Sequence, residues 1–124
     1  VLVIAVIIAT KSYPQTDAAL LPEDQLNKAL VNGDPALVFF HSTTCDPCME
    51  MIENVERAYP EFSEKITLID VNVSDERNHN LLRSQGVQLI PSLKFFDKNG
   101  QAHIVYGVIT PEQIQEELIT LLEQ

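Results

Sequence analysis

Ala36-Leu37-Val38-Phe39-Phe40-His41-Ser42-Thr43-Thr44-Cys45-Asp46-Pro47-Cys48 is followed by Met49-Glu50-Met51-Ile52, and this stretch decides the fold. Cys45 and Cys48 are the only two cysteines of the chain. Cysteines kept for packing would be scattered, whereas a C-x-x-C spacing puts two sulfurs where they can bond to each other, so the pair marks a chemical site. Ahead of it, Ala36 to His41 is a short apolar run rich in β-formers. Behind it, Met49 to Tyr59 reads as a helix. Met51, Ile52, Val55 and Tyr59 form one apolar stripe, and Glu50, Glu53, Glu56 and Arg57 lie mostly elsewhere on the wheel. The cysteines therefore belong to a strand-to-helix turn. There the first thiol meets the unpaired N–H groups and positive dipole end of the helix, which favour thiolate over thiol. Pro47 suits a first helical turn, where no N–H is needed.

Working outward, residues 22 to 124 resemble a thioredoxin. Four features carry the resemblance, in the order of that family. They are the strand Leu37 to His41 leading into Cys45 and Cys48; the strand Ile66 to Val73; Gly86-Val87-Gln88-Leu89-Ile90-Pro91 running into Ser92 to Phe96; and Asp97-Lys98-Asn99-Gly100, followed by Tyr106-Gly107 and a last helix. The resemblance implies that Ile90-Pro91 is a cis peptide lying against the redox pair, a minority geometry kept for local shape. The interval from Cys48 to Pro91 leaves room for a helix, a strand and a helix. The resemblance therefore implies the plain α/β thioredoxin fold, a central mixed β-sheet with helices on both faces.

Length and composition agree with a single domain. A chain of 124 residues can bury one sizeable core but not two. Hydrophobic content of 45% and charged content of 21% are those of a globular protein rather than a disordered one. With 8 basic and 18 acidic residues the net charge is −10, which argues against nucleic acid or an anionic membrane surface as partner. Acidity by itself names no substrate.

Other elements follow from local signals. Pro22 to Asn32 predicts a helix, with Pro22 at its first position, Glu23 and Asp24 at its positive end and Gly33 at its stop. Ser74 is expected to cap a polar helix holding Leu81 and Leu82, which Gln85-Gly86 ends. Asn99-Gly100 signals a hairpin between Leu93–Phe96 and His103–Tyr106. Thr110, Pro111 and Gln113 combine an N-cap, a first-turn proline and a capping-box glutamine, and launch a closing helix with Ile114, Leu118, Leu121 and Leu122 inward.

Residues 1 to 21 are set apart as an N-terminal segment and tether. Val1 to Ala9 is apolar and uncharged, yet nine helical residues cover less than half of a ~30 Å hydrocarbon layer. Two readings remain open: the remnant of a signal peptide or membrane anchor, or the first strand that thioredoxins carry ahead of their first helix. The first implies an extracytoplasmic, membrane-anchored protein, the second leaves a cytoplasmic one.

The resemblance implies a thiol–disulfide oxidoreductase acting on protein thiols and disulfides as a monomer, with an unidentified redox partner and no cofactor beyond its own disulfide. Cys45 would attack a substrate disulfide, and the more buried Cys48 would then attack Cys45 and release the reduced product. Direction depends on the potential against the surroundings. Pro91 would complete the catalytic centre, and an extended substrate would lie along Thr44, Ile90, Pro91 and Gly107, pairing with main chain.

The chain also departs from the family. Thr44 replaces the usual tryptophan, and Asp46 replaces the glycine between the cysteines, where a carboxylate opposes thiolate formation. Phe39 stands where the family has a buried aspartate, and Asp70 where it has that aspartate's lysine partner. Asp70 is thus either a base reaching in from the neighbouring strand or a solvated strand residue. These losses support a competing view, an idle thioredoxin-like binding module with a structural disulfide. A metal site is disfavoured, because two thiolates with His41 or His103 are too few ligands for a closed zinc centre. His41 is expected beside the thiols and able to tune them, His79 and His103 on the surface, and Met49 and Met51 in the core rather than as soft copper ligands.

Overall fold

The computed structural model describes residues 20–124, and the expectations for Val1 to Ala9 lie outside them. Among the described residues, four α-helices and four strands follow in the order α1 (Pro22–Asn32), β1 (Ala36–His41), α2 (Asp46–Ala58), β2 (Thr67–Asn72), α3 (His79–Gln85), β3 (Ser92–Phe96), β4 (Ala102–Tyr106) and α4 (Pro111–Leu122). The sheet order is β2-β1-β3-β4; β1 runs parallel to β2 and antiparallel to β3, and β3 runs antiparallel to β4. This is the mixed sheet with helices on both faces that the sequence predicts.

Side chains of the central strand alternate between two cores, as pleating requires. Leu37 and Phe39 of β1 join Leu93 and Phe95 of β3 beneath Met51 and Val55 of α2 and Ile114 and Leu118 of α4. Ala36, Val38 and Phe40 face the other way, onto Leu26 and Ala29 of α1 and Leu81 of α3. All six residues of β1 are buried, so the strand reads as a continuous apolar run rather than an alternating one.

Element ends follow local chemistry. Gly33 closes α1 in the left-handed region at φ 70°, where its N–H reaches the Ala29 and Leu30 carbonyls. Thr110 accepts from the Gln113 N–H at 3.1 Å while the Gln113 side chain accepts the Thr110 N–H at 2.9 Å, the reciprocal box that opens α4. Lys94 of β3 donates to the Gln85 carbonyl at 3.2 Å and to Gln85 Oε1 at 2.9 Å, a cation at the negative end of α3.

Three boundaries differ from expectation. Helix α2 begins at Asp46 rather than Met49, because Cys45 itself takes the N-cap place. The second strand is trimmed from Ile66–Val73 to Thr67–Asn72. The cap after it is Asp75, whose carboxylate accepts the Arg77 N–H at 3.0 Å and opens a 3-10 turn, Glu76–Asn78, ahead of α3. Ser74 instead donates its N–H to Asn72 Oδ1 at 3.0 Å. Among the described residues no helix is long and apolar enough to cross a membrane.

Candidate active site

Three connections meet at one end of the sheet. Phe40 at the close of β1 is paired with Ser92 at the opening of β3, and Ser92 with Tyr106 at the close of β4. Topology therefore gathers the β1–α2 turn, the segment before Ser92 and the segment after Tyr106 in the crevice beyond the carboxyl end of β1, the place where open α/β sheets build their sites.

In the first connection Cys45 has extended backbone, φ −108° and ψ 112°, and its Sγ accepts the Cys48 N–H at 3.2 Å. A sulfur thus holds the capping position that an oxygen usually fills, directly on the orphan donors of the helix. Cys45 and Cys48 are joined in a disulfide with Cα atoms 5.1 Å apart. Cys45 is half-buried, and Cys48 is fully buried one turn ahead of Met51 on the inner stripe of α2. Cys48 is thus the more buried of the two sulfurs, as expected. The turn is braced by Ser42, whose Oγ accepts the Thr44 N–H at 3.2 Å and lies 3.0 Å from Thr44 Oγ1 and 3.3 Å from Ser74 Oγ.

The second connection contains the cis peptide Ile90-Pro91, as expected. The Pro91 carbonyl accepts the Gly107 N–H at 2.8 Å, which ties the second connection to the third. Gly107 has φ 85°, a region in which any Cβ is strained, so the tie selects glycine there. Ile90 is half-buried against the α1/α3 core, Pro91 is buried, and Thr44 is exposed.

Asp70 and His41 come together. Register sets Asp70 opposite Phe39 and Asn72 opposite His41, on the face that α2 covers. His41 Nε2 is hydrogen-bonded to Asp70 Oδ1, and the two side chains are 11% and 67% exposed. The His41 ring also lies 4.7 Å from the Phe39 ring, centroid to centroid. Asp70 is thus a strand residue at the surface that reaches inward through a histidine.

The sequence reading did not single out Leu89 and placed Met49 in the core, yet both are large apolar side chains left exposed in this region, as is Val108. The signal for Met49 is its place off the apolar stripe of α2. His103 is more than a plain surface residue, since it stacks on Phe95 at 5.1 Å and bonds Glu117 of α4 at 2.6 Å. Met51 is in the core, as expected. Among the described residues no group of three or more His, Cys, Asp or Glu side chains could hold a metal ion.

With this geometry in place, comparison with known proteins decides the family. The family model described as Thioredoxin matches residues 18–120. The chain belongs to the thioredoxin family. It is 29% identical over 89 residues to the chloroplastic thioredoxin-like protein HCF164 of Arabidopsis thaliana, covering 72% of this chain and 33% of that protein. It is 31% identical over 91 residues to the chloroplastic thioredoxin-like protein CITRX of Oryza sativa subsp. indica, covering 69% of this chain and 47% of that one. The chain therefore spans between a third and a half of the length of these relatives. A solved chloroplastic thioredoxin z superposes with a TM-score of 0.70 at 21% identity, covering 82% of this chain and 90% of the other, which bears on the fold alone. As a thioredoxin-family protein with its C-x-x-C pair joined at a helix head, the chain has the equipment for thiol–disulfide redox chemistry.

Proposed function

We propose that the protein is a disulfide oxidoreductase that exchanges disulfides with protein substrates through Cys45 and Cys48. The supporting observation is the Cys45 sulfur at the N-cap of α2, accepting the Cys48 N–H and bonded to the buried Cys48 behind it. In the reductive direction the Cys45 thiolate attacks a substrate disulfide, forms a mixed disulfide and expels one substrate thiolate. Cys48 then attacks Cys45, the second substrate thiolate leaves, and the protein ends in its disulfide form. The reverse sequence oxidises a substrate dithiol. Pro91 closes the catalytic centre, and Thr44, Ile90, Pro91 and Gly107 form the shelf on which an extended substrate pairs by main chain. Asp70 assists proton transfer for the pair through the His41 ring it holds. No cofactor is required beyond the disulfide, and the protein works as a monomer with a separate redox partner.

An extracytoplasmic or organellar setting goes with this reading, supported by relatives that are named chloroplastic. Reduction of insulin disulfides by dithiothreitol tests the activity. The expected outcome is turnover by the wild type, none by Cys45→Ser, and with Cys48→Ser an accumulating mixed disulfide visible by mass. A wild type that adds nothing to the dithiothreitol background favours the idle binding module instead.

A further inference from the structure

Among the described residues, two buried polar atoms at the site end of the sheet have no hydrogen-bond partner: Ser92 Oγ and, on the face that α2 covers, Nδ1 of His41. Its counterpart on the same ring, Nε2, is bonded to Asp70 Oδ1. A carboxylate can only accept, so Nε2 carries the hydrogen, and the neutral ring is left with its lone pair on Nδ1. The bond to Asp70 thus presents a buried acceptor on the α2 side of the sheet. An unmatched acceptor in that position is costly unless a donor visits it.

Chain geometry brings the donor. Helix α2 turns back over β1 after the short loop Ser42 to Cys45, and Met51 shares a core with Phe39. His41 lies two residues beyond Phe39, about 6.8 Å further toward the site end. Cys48 lies one turn ahead of Met51, about 4.5 Å in the same direction. The histidine and the buried cysteine therefore occupy the same end of one core layer. We propose that His41 Nδ1 is the base that takes the proton from the Cys48 thiol during the resolving step, with Asp70 as the positioning residue that holds the ring and its charge.

This rests on the exchange function proposed above. In the mixed disulfide Cys48 is a thiol. Its proton passes to Nδ1, its sulfur forms the bond to Cys45 Sγ, and the bond from Cys45 to the substrate sulfur breaks with its electron pair on the leaving thiolate. The imidazolium is held against the Asp70 carboxylate and returns its proton to the departing thiolate or to water. Electrons balance, since the two come from the protein dithiol and leave with the reduced substrate. Of the titratable groups, Asp70 of β2 is bonded to His41 and the two cysteines lie at the head of α2, the helix that covers this face; Phe39, whose ring lies against His41, carries no proton. The charged residues of α2, Asp46, Glu50, Glu53, Glu56 and Arg57, are all exposed. The device also accounts for the family's buried aspartate being Phe39 here, since the proton acceptor has moved two residues along the same strand.

The test uses the reduced protein and the aromatic disulfide 5,5′-dithiobis(2-nitrobenzoate), whose thiolate absorbs at 412 nm and needs no proton to leave. Attack by Cys45 releases a first thiolate, and the intramolecular attack by Cys48 releases a second. With His41→Gln the second phase at pH 7 is expected to slow by about tenfold or more, as loss of a general base predicts, while the first changes far less. The deficit should close toward pH 9, where hydroxide takes the proton. Asp70→Asn, at an exposed position that does not endanger folding, should slow the same phase by less, with the same closing at high pH. A second phase unchanged in both variants, or slowed equally at every pH, overturns the proposal while leaving the exchange function intact. A wild type that releases no second thiolate overturns both.

Discussion

At the first position of α2 Asp46 sets a carboxylate beside the Cys45 sulfur, and both draw on the same positive helix end. Asp46 is exposed, so its influence is that of a screened neighbour rather than a buried ion. It favours the helix and opposes negative charge on the neighbouring sulfur, so removing it is expected to make the reduced Cys45 more reactive. Asp46→Asn keeps the side-chain shape and removes the charge. Alkylation of the reduced protein by neutral iodoacetamide near pH 6.5 should then accelerate about two- to fivefold, equivalent to roughly 0.4–1 kcal/mol in favour of the thiolate. A rate indistinguishable from wild type would show that the helix end, not the residue between the cysteines, sets the reactivity of Cys45.

Among the elements, the passage from α2 into β2 depends on Tyr59, the residue that ends the helix. Its hydroxyl donates to the Ile66 carbonyl at 2.7 Å, just ahead of β2, and its N–H donates to the Val55 carbonyl at 2.9 Å. Burial pushes the Tyr59 phenol above its ordinary value, and the hydrogen bond with the Leu68 backbone opposes this only in part. A group whose folded pKa is raised gives its stability below the unfolded value, near 10, and loses it as pH climbs past that. Tyr59→Phe should therefore cost about 0.5–1.5 kcal/mol at neutral pH, and the gap to wild type should narrow as pH rises above about 10. Urea midpoints of the oxidised proteins across that range would measure it, and a constant gap would mean that the phenol is solvated.

Elements with complete local signals were legible in the sequence. Helix α1 runs from Pro22 to Asn32 as its proline, acids and glycine stop require, and the Thr110 box opens α4. The start of α2 was less legible, because cysteine is an unusual cap and Asp46-Pro47 resembles a turn as much as a first helical turn. Ser74 and Asp75 are both good caps, and only the path of the chain after Asn72 chooses between them. At the site, the cysteines were readable from their local spacing, and the cis proline from the resemblance to the family. The His41–Asp70 bond was not, since it depends on the register of two strands 29 residues apart. The one hint was a charge, Asp70, in an otherwise uncharged strand.

For the whole molecule, charge distribution matters most where the three connections meet. From Ser42 to Glu50, from Gly86 to Pro91 and from Tyr106 to Thr110 there is no lysine or arginine, while Asp46, Glu50 and nearby Asp70 are exposed acids. Added to a net charge of −10, this makes the mouth of the site negative, and its field should favour cationic substrates on approach and slow anionic ones. The field reaches about 30 Å at 0.01 M salt and only about 3 Å at 1 M. Oxidation of the reduced protein by the cationic disulfide cystamine should thus slow as salt rises, and oxidation by the dianionic dithiodiglycolate should speed up. Because the two reagents differ in intrinsic reactivity, the opposite signs of their salt slopes are the measurement, not the rates themselves. In Asp46→Asn/Glu50→Gln both slopes should flatten, as the nearest charges are gone. Parallel slopes for the two reagents in wild type would mean that the acidity of the chain acts on solubility alone and leaves the choice of partner to the apolar rim at Met49, Leu89 and Val108.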